Sequence, residues 1–152
     1  MFSDDIQALY QEMIIDHGRS PRCVGELSSY DHCMSGVNPV CGDEVKIFLQ
    51  QDRDDNFVSS FTGHGCAISI AATSLLLELL QNKNKQQILT VIEEFRAMLK
   101  NEIEPDANIL GKLVVFSGVK RYPSRIKCAT LGCHALKLAV NKEKVDIATT
   151  EV

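Results

Sequence analysis

At 152 residues the chain is the size of one domain, and 45% hydrophobic against 24% charged residues is enough to build a core without disulfide staples. Its 16 basic and 20 acidic side chains leave a net charge of −4, lacking the basic excess of a nucleic-acid-binding surface. Apolar runs break well short of the roughly 18 residues a membrane span needs, so neither nucleic acid nor membrane is an expected partner.

In chain order, the first expected element is a helix over residues 4–17. Ser3 is its expected cap, and Asp4 and Asp5 suit the positive end of its dipole. Ile6, Leu9, Tyr10, Met13 and Ile14 recur at helical spacing, and Gly18 and Pro21 close it. His17 then falls at the helix end, where a positive charge is favourable. Leu27 to Met34 offers a first strand. Glu44 to Gln50 alternates, with Val45, Ile47 and Leu49 on one face, and Phe57 to Phe61 is a third short run. Asp52-Arg53-Asp54-Asp55-Asn56 reads as a hairpin connection.

From Cys66 onward the pattern turns helical. Ile68, Ala71, Ala72, Leu75, Leu76 and Leu79 mark a helix apolar enough to be central. Ile88, Val91, Ile92, Phe95 and Leu99 mark a second, and Ile109, Leu110, Leu113 and Val114 a short third. Pro123 suits the first position of a last helix, whose face carries Ile126, Ala129, Cys133, Leu136 and Val140. Strands in one block and helices in another predict an α+β fold: a small antiparallel three-stranded sheet packed against a group of helices. Residues 1–141 form the expected single domain and residues 142–152, polar in composition, a flexible tail.

The opening Met1–Asp5 is acidic, without the basic-then-apolar layout of a secretory leader. The expectation is a cytoplasmic protein with reduced thiols, where six cysteines point to metal binding, reactivity or burial before disulfides. Three of them sit in unusual settings. In Asn38-Pro39-Val40-Cys41-Gly42-Asp43, an extended backbone would project the Cys41 thiol and the Asp43 carboxylate to one side, with Gly42 allowing close backbone approach. Two such anions repel unless a cation lies between them; read alone, the segment suits a buried thiol and a turn-capping Asp somewhat better. Gly63-His64-Gly65-Cys66 is a strand-to-helix turn that would place Cys66 at a helix N-terminus, where the dipole favours thiolate; a small buried residue fits there too. Cys128 lies early in the last helix beside Lys127 and near Arg125, cations that would favour its thiolate, or it is a half-buried helix cysteine. None of the three forms a CxxC pair. Cys133 falls on an apolar face and is expected in the core; Cys23 and Cys33 read as incidental thiols in loop or edge positions. His64 is an auxiliary ligand or, more simply, a solvated turn residue.

Taken together these segments are similar to the U-type iron–sulfur cluster assembly proteins, the IscU/NifU N-terminal family. The matching stretches are Leu9-Tyr10 through Asp16-His17, Asn38 to Asp43, Phe61 to Ser69, and Arg125-Ile126-Lys127-Cys128-Ala129-Thr130-Leu131, in the family's order and spread over nearly the whole chain. The long stretch between Cys66 and Cys128, and Lys127 before the last cysteine, resemble the SufU-type branch; the IscU branch has a histidine at the latter position. The chain departs from the family at Gly18, where a Tyr is common, and at Gly132-Cys133-His134, where an aromatic residue is usual.

The resemblance implies a ligand set of Cys41, Asp43, Cys66 and Cys128 holding Zn2+. It implies Cys41 as acceptor of persulfide sulfur from a SufS-type cysteine desulfurase, Arg125 as support for the freed thiolate, and downstream iron–sulfur assembly components as further partners. The other branch implies a transient [2Fe–2S] cluster on Cys41, Cys66 and Cys128, with Asp43 keeping it labile. A third reading, of a different class, is a structural zinc module that mediates interactions. A site that a protein partner must reach is expected to be exposed at one end of the sheet.

Overall fold

The computed structural model describes residues 2–40, 42–142 and 147–149. Helix α1 (Phe2–Arg19) starts ahead of Ser3, which therefore lies inside the helix and not at its cap. It also runs through Gly18, because an added Cβ there would stand 3.1 Å from Ala67 Cβ: a glycine lets the last turn press against its neighbour. The side chains of Ile6, Leu9 and Tyr10 lie outside the description, whereas Met13 and Ile14 pack on the core as their spacing predicts. His17 departs from expectation. It is 2% exposed, with Nδ1 2.7 Å from Ser74 Oγ, and burial holds its pKa below the ordinary value, so its charged form is disfavoured. Ser74 Oγ also accepts the Arg22 backbone N–H at 2.8 Å.

Strands β1 (His32–Asn38), β2 (Asp43–Gln51) and β3 (Asn56–His64) form an antiparallel meander. Asp52 builds the β2–β3 turn: its Oδ1 accepts the N–H groups of Asp54 at 2.8 Å and Asn56 at 3.0 Å, while Asp55 takes φ 64°. Val45, Ile47 and Leu49 are buried, as the alternation predicts. Phe48 is buried as well, edge-on to Tyr30 at 5.0 Å. The sheet is larger than the three strands expected. After helix α2 (Ala67–Leu80), strand β4 (Lys83–Asn84) pairs antiparallel with β3, and strand β5 (Ile147–Thr149) pairs in parallel with β1, giving the order β4-β3-β2-β1-β5. Two and three residues are too few to carry a period-2 signal. Ile147–Thr149 falls within the stretch read as a tail and is paired there. β1 also begins later than the expected Leu27. Its inward positions are Met34, Gly36 and Asn38, which do not read as an apolar alternation. Gly36 is small because α5 (Pro123–Val140) crosses it: a Cβ would meet Ala135 Cβ at 3.1 Å.

The helices cover one face of this sheet. α2 is buried nearly all round, touching α1, α5 and β3, which agrees with its near-continuous apolar sequence. α3 (Lys85–Leu99) opens with a reciprocal cap, Asn84 Oδ1 accepting Gln87 N–H and Gln87 Oε1 accepting Asn84 N–H. The short α4 (Ala107–Leu110) leads into an 11-residue 3-10 helix (Gly111–Arg121), docked through an edge-on Phe95–Phe116 contact at 5.9 Å. Pro123 occupies the start of α5 as its chemistry predicts.

Candidate metal centre

Strand ends and helix starts meet at one edge of the molecule. Asn38, last residue of β1, pairs with Asp43, first of β2; Glu44 pairs with His64 at the end of β3; α2 begins three residues later. Asp43 is therefore delivered by a strand start, Cys66 by the N-cap position of α2 and Cys128 by the second turn of α5. One ligand atom from each lies within 4.8 Å of the others. Cys41 lies outside the described residues; by sequence it belongs to the connection between Asn38 and Asp43.

The turn into α2 is built around the Asp43 carboxylate. Its Oδ1 accepts the Cys66 backbone N–H at 2.8 Å, and its Oδ2 is 3.6 Å from Cys66 Sγ. Gly65, at φ 151°, passes so close that a Cβ would overlap Oδ1, and no other residue type fits. On the far side Ser69 Oγ donates to the Cys66 carbonyl at 3.1 Å and lies 3.9 Å from Cys66 Sγ. The groups around Cys128 include Asn38 Nδ2 at 3.9 Å and the Ser124 carbonyl, which accepts from its Sγ at 3.7 Å. Gly132 brings α5 onto α2, since a Cβ there would stand 2.5 Å from Thr73 Oγ1.

Several sequence expectations change here. Gly42 takes φ 76°, and its N–H bonds back to the Asn38 carbonyl at 2.8 Å, so the stretch before Asp43 is a turn and not extended strand. The site is largely recessed: Asp43 is 1% exposed and Cys128 fully buried, while Cys66 is half-buried. A shallow pocket of about 230 Å³ is lined by Asn38, Val40, Pro123, Ser124 and Lys127, of which Asn38 and Ser124 contact Cys128. The Cys128 thiol is pushed up, not down. Burial is the main cause, joined by its hydrogen bond with Asp43 and the nearby charge of Cys66. Arg125 is exposed in the first turn of α5. His64 is turned away from the cluster, with Nε2 3.5 Å from Glu44 Oε2. Cys133 is core as expected, 1% exposed, its thiol pushed up to about 12 by burial. Cys23 is not incidental: at φ 59° it is half-buried, accepting from Gln81 Nε2 at 3.4 Å, while Cys33 is half-buried in β1.

The donor set suits a thiophilic cation. Two sulfurs and a carboxylate oxygen match zinc or cluster iron. For zinc bonds of about 2.3 Å to sulfur and 2.0 Å to oxygen, a tetrahedron has a sulfur–oxygen edge of about 3.5 Å; the Cys66 Sγ to Asp43 Oδ2 distance is 3.6 Å. A cation there would stabilise the Cys128 thiolate that burial opposes. Asn38, Gly65 and Ser69 escaped the sequence reading as site residues. Only the Gly65-Cys66 pair carried a signal, the tight turn itself.

The chain as a whole is similar to known proteins. Residues 9–143 match the NifU-like N terminal domain family. The chain is 33% identical over 143 residues to the zinc-dependent sulfurtransferase SufU of Bacillus subtilis, covering 94% of this chain and 97% of that one. It is 34% identical over 134 residues to the iron–sulfur cluster assembly scaffold protein IscU of Thermotoga maritima, covering 88% and 94%. The crystal structure of FiSufU from Fervidobacterium islandicum AW-1 superposes with a TM-score of 0.80 at 35% identity, covering 85% of this chain and 94% of that one.

Proposed function

The chain belongs to the NifU-like N-terminal domain family, and from that premise we propose that it serves iron–sulfur cluster assembly as a zinc-dependent sulfur acceptor. The observation that carries this is the convergence of Asp43, Cys66 and Cys128 within 4.8 Å from three elements far apart in sequence. A relative that matches 94% of this chain's length is named a zinc-dependent sulfurtransferase, and the Lys127-Cys128 pair and the long stretch before it favour the same branch.

In this reading Asp43, Cys66 and Cys128, with Cys41 as the fourth donor, would hold zinc. The ion would keep the thiols deprotonated and tie β2, α2 and α5 together. The chain's own residues then divide the work. Asp43 orients Cys66 through the Cys66 N–H. Cys41, on the turn between β1 and β2, is the acceptor. Its thiolate attacks the terminal sulfur of a cysteine desulfurase's persulfide; a new S–S bond forms on Cys41 and the desulfurase cysteine leaves as thiolate, with no net oxidation. Arg125 would support the freed Cys41 thiolate.

The same ligand set could instead carry a nascent [2Fe–2S] cluster, as the IscU name of the Thermotoga relative suggests. Metal and acid-labile sulfide content of the anaerobically purified protein, together with sulfur transfer by wild type and Cys41→Ser, separate these. The acceptor reading expects one zinc per chain, no sulfide, and transfer lost in Cys41→Ser. Iron and sulfide in equal amounts, lost in the variant, establish the scaffold. Normal transfer by Cys41→Ser removes Cys41 as acceptor.

A further inference from the structure

Asn38 is 1% exposed at an inward position of β1, where a polar amide is costly unless every group finds a partner. Its hydrogen-bond partners among the described residues include three at the metal centre or its rim. Nδ2 donates to Cys128 Sγ at 3.9 Å, Oδ1 accepts the Val40 N–H at 3.3 Å, and the backbone carbonyl accepts the Gly42 N–H at 2.8 Å. Both chain neighbours of position 41 are thus bonded to residue 38, and the same side chain reaches the sulfur on α5. In strand register Asn38 also stands opposite Asp43.

We propose that Asn38 is a positioning residue for the metal centre, a clamp that joins the β1–β2 turn to the Cys128 sulfur and donates an N–H···S bond to that sulfur as a metal-bound thiolate. The chemistry favours an amide. An N–H donor facing a thiolate gains charge assistance, and groups that hydrogen-bond a metal's ligands set both their orientation and their donor strength. An aspartate has nearly the same shape and can still accept the Val40 N–H, but it turns an oxygen instead of an N–H toward sulfur. A leucine fills the space with no polar atom. The proposal rests on reading Asp43, Cys66 and Cys128 as ligands, and it concerns how one of them is held.

The test is zinc affinity, by competition with a chromogenic chelator, in wild type, Asn38→Leu and Asn38→Asp. It is paired with the sulfur-to-metal charge-transfer band of the cobalt-loaded proteins. We expect Asn38→Leu to bind about tenfold more weakly and Asn38→Asp about a hundredfold more weakly, with the band at lower energy in both as the sulfur loses its donor. A residue that only fills space and holds the turn gives the opposite order, Asp milder than Leu, and an unmoved band; that result overturns the proposal. The band is read only from molecules that fold and bind. As a check needing no variant, wild type loaded with a spin-active cadmium isotope is expected to show coupling from the Asn38 side-chain amide through sulfur to the metal. Absence of that coupling overturns the proposal too. Wild-type affinity in both variants removes Asn38 alone, whereas wild-type protein that binds no zinc removes the ligand set and this proposal with it.

Discussion

Gly65 fits tightly against Asp43, and the fit yields a quantitative prediction. Gly65 has φ 151°, and a Cβ built there would overlap Asp43 Oδ1 and stand 2.9 Å from its Cγ and 3.0 Å from its Cα. Gly25 provides the control: it also has positive φ, 119°, but a Cβ there meets nothing within 4 Å. Gly25→Ala therefore carries only the backbone cost, about 1–2 kcal/mol. Gly65→Ala carries a similar backbone cost plus overpacking of about 1–3 kcal/mol, about 2–5 kcal/mol together. One of the clashing atoms is backbone, so the carboxylate cannot simply rotate away, and the Oδ1 bond to the Cys66 N–H breaks with it. At about 2–4 °C per kcal/mol for a chain of this size, Gly65→Ala should melt roughly 4–20 °C below wild type and Gly25→Ala roughly 2–8 °C below. The decisive assay is zinc competition. Gly65→Ala should lose about a hundredfold or more in affinity, at least the upper end of what disturbing a ligand's support costs, while Gly25→Ala binds as wild type. Wild-type zinc affinity in Gly65→Ala, whatever its melting temperature, would refute the claim that this glycine exists to seat Asp43.

Asp43→Ala should weaken zinc binding directly and lower the melting temperature of the metal-loaded form, because metal held a thousandfold above its dissociation constant contributes about 4.1 kcal/mol; an unchanged affinity takes Asp43 out of the ligand set. Gly132→Ala should cost about 1–3 kcal/mol by forcing a methyl against Thr73 where α5 crosses α2, and a denaturant midpoint equal to wild type would show the crossing has slack. The pKa of His17 is lowered by burial and by Arg22, against the opposing pull of Glu78 and Asp16. The unfolded chain therefore takes up the proton first. This contribution is complete above about pH 6.5 and is lost as the pH falls through the lower folded value. Unfolding of the metal-free protein between about pH 7.5 and pH 5.5 should show stability dropping with acidity, and the drop should shrink in His17→Gln; an identical drop in the variant would place the proton elsewhere.

Local pattern made much of this protein legible. The near-continuous apolar run of α2 could only be central, the alternation of Val45, Ile47 and Leu49 could only be a half-buried strand, and Pro123 announced the start of α5. The glycines around Cys66 likewise announced a strand-to-helix turn with a thiol at its end. These readings succeed because they depend on neighbours within a few residues. β1 was misplaced because its inward residues, Gly36 and Asn38, are chosen by what crosses them, Ala135 and Cys128 of α5, nearly a hundred positions away. β4 and β5 exist only as additions to strands already formed.

The sequence by itself marked Cys41, Asp43, Cys66 and Cys128 as chemically unusual positions, each with an ordinary buried or turn reading beside it, and only the resemblance to a family implied that they act as one ligand set. Only the tertiary structure decided that Asp43, Cys66 and Cys128 meet within 4.8 Å, and that burial raises the Cys128 pKa. The physical reason is that distance and desolvation are set by packing between elements. The approach of α5 to α2 at Gly132, and to β1 at Gly36, brings the sulfur on α5 to the strand and turn that carry the other two ligands.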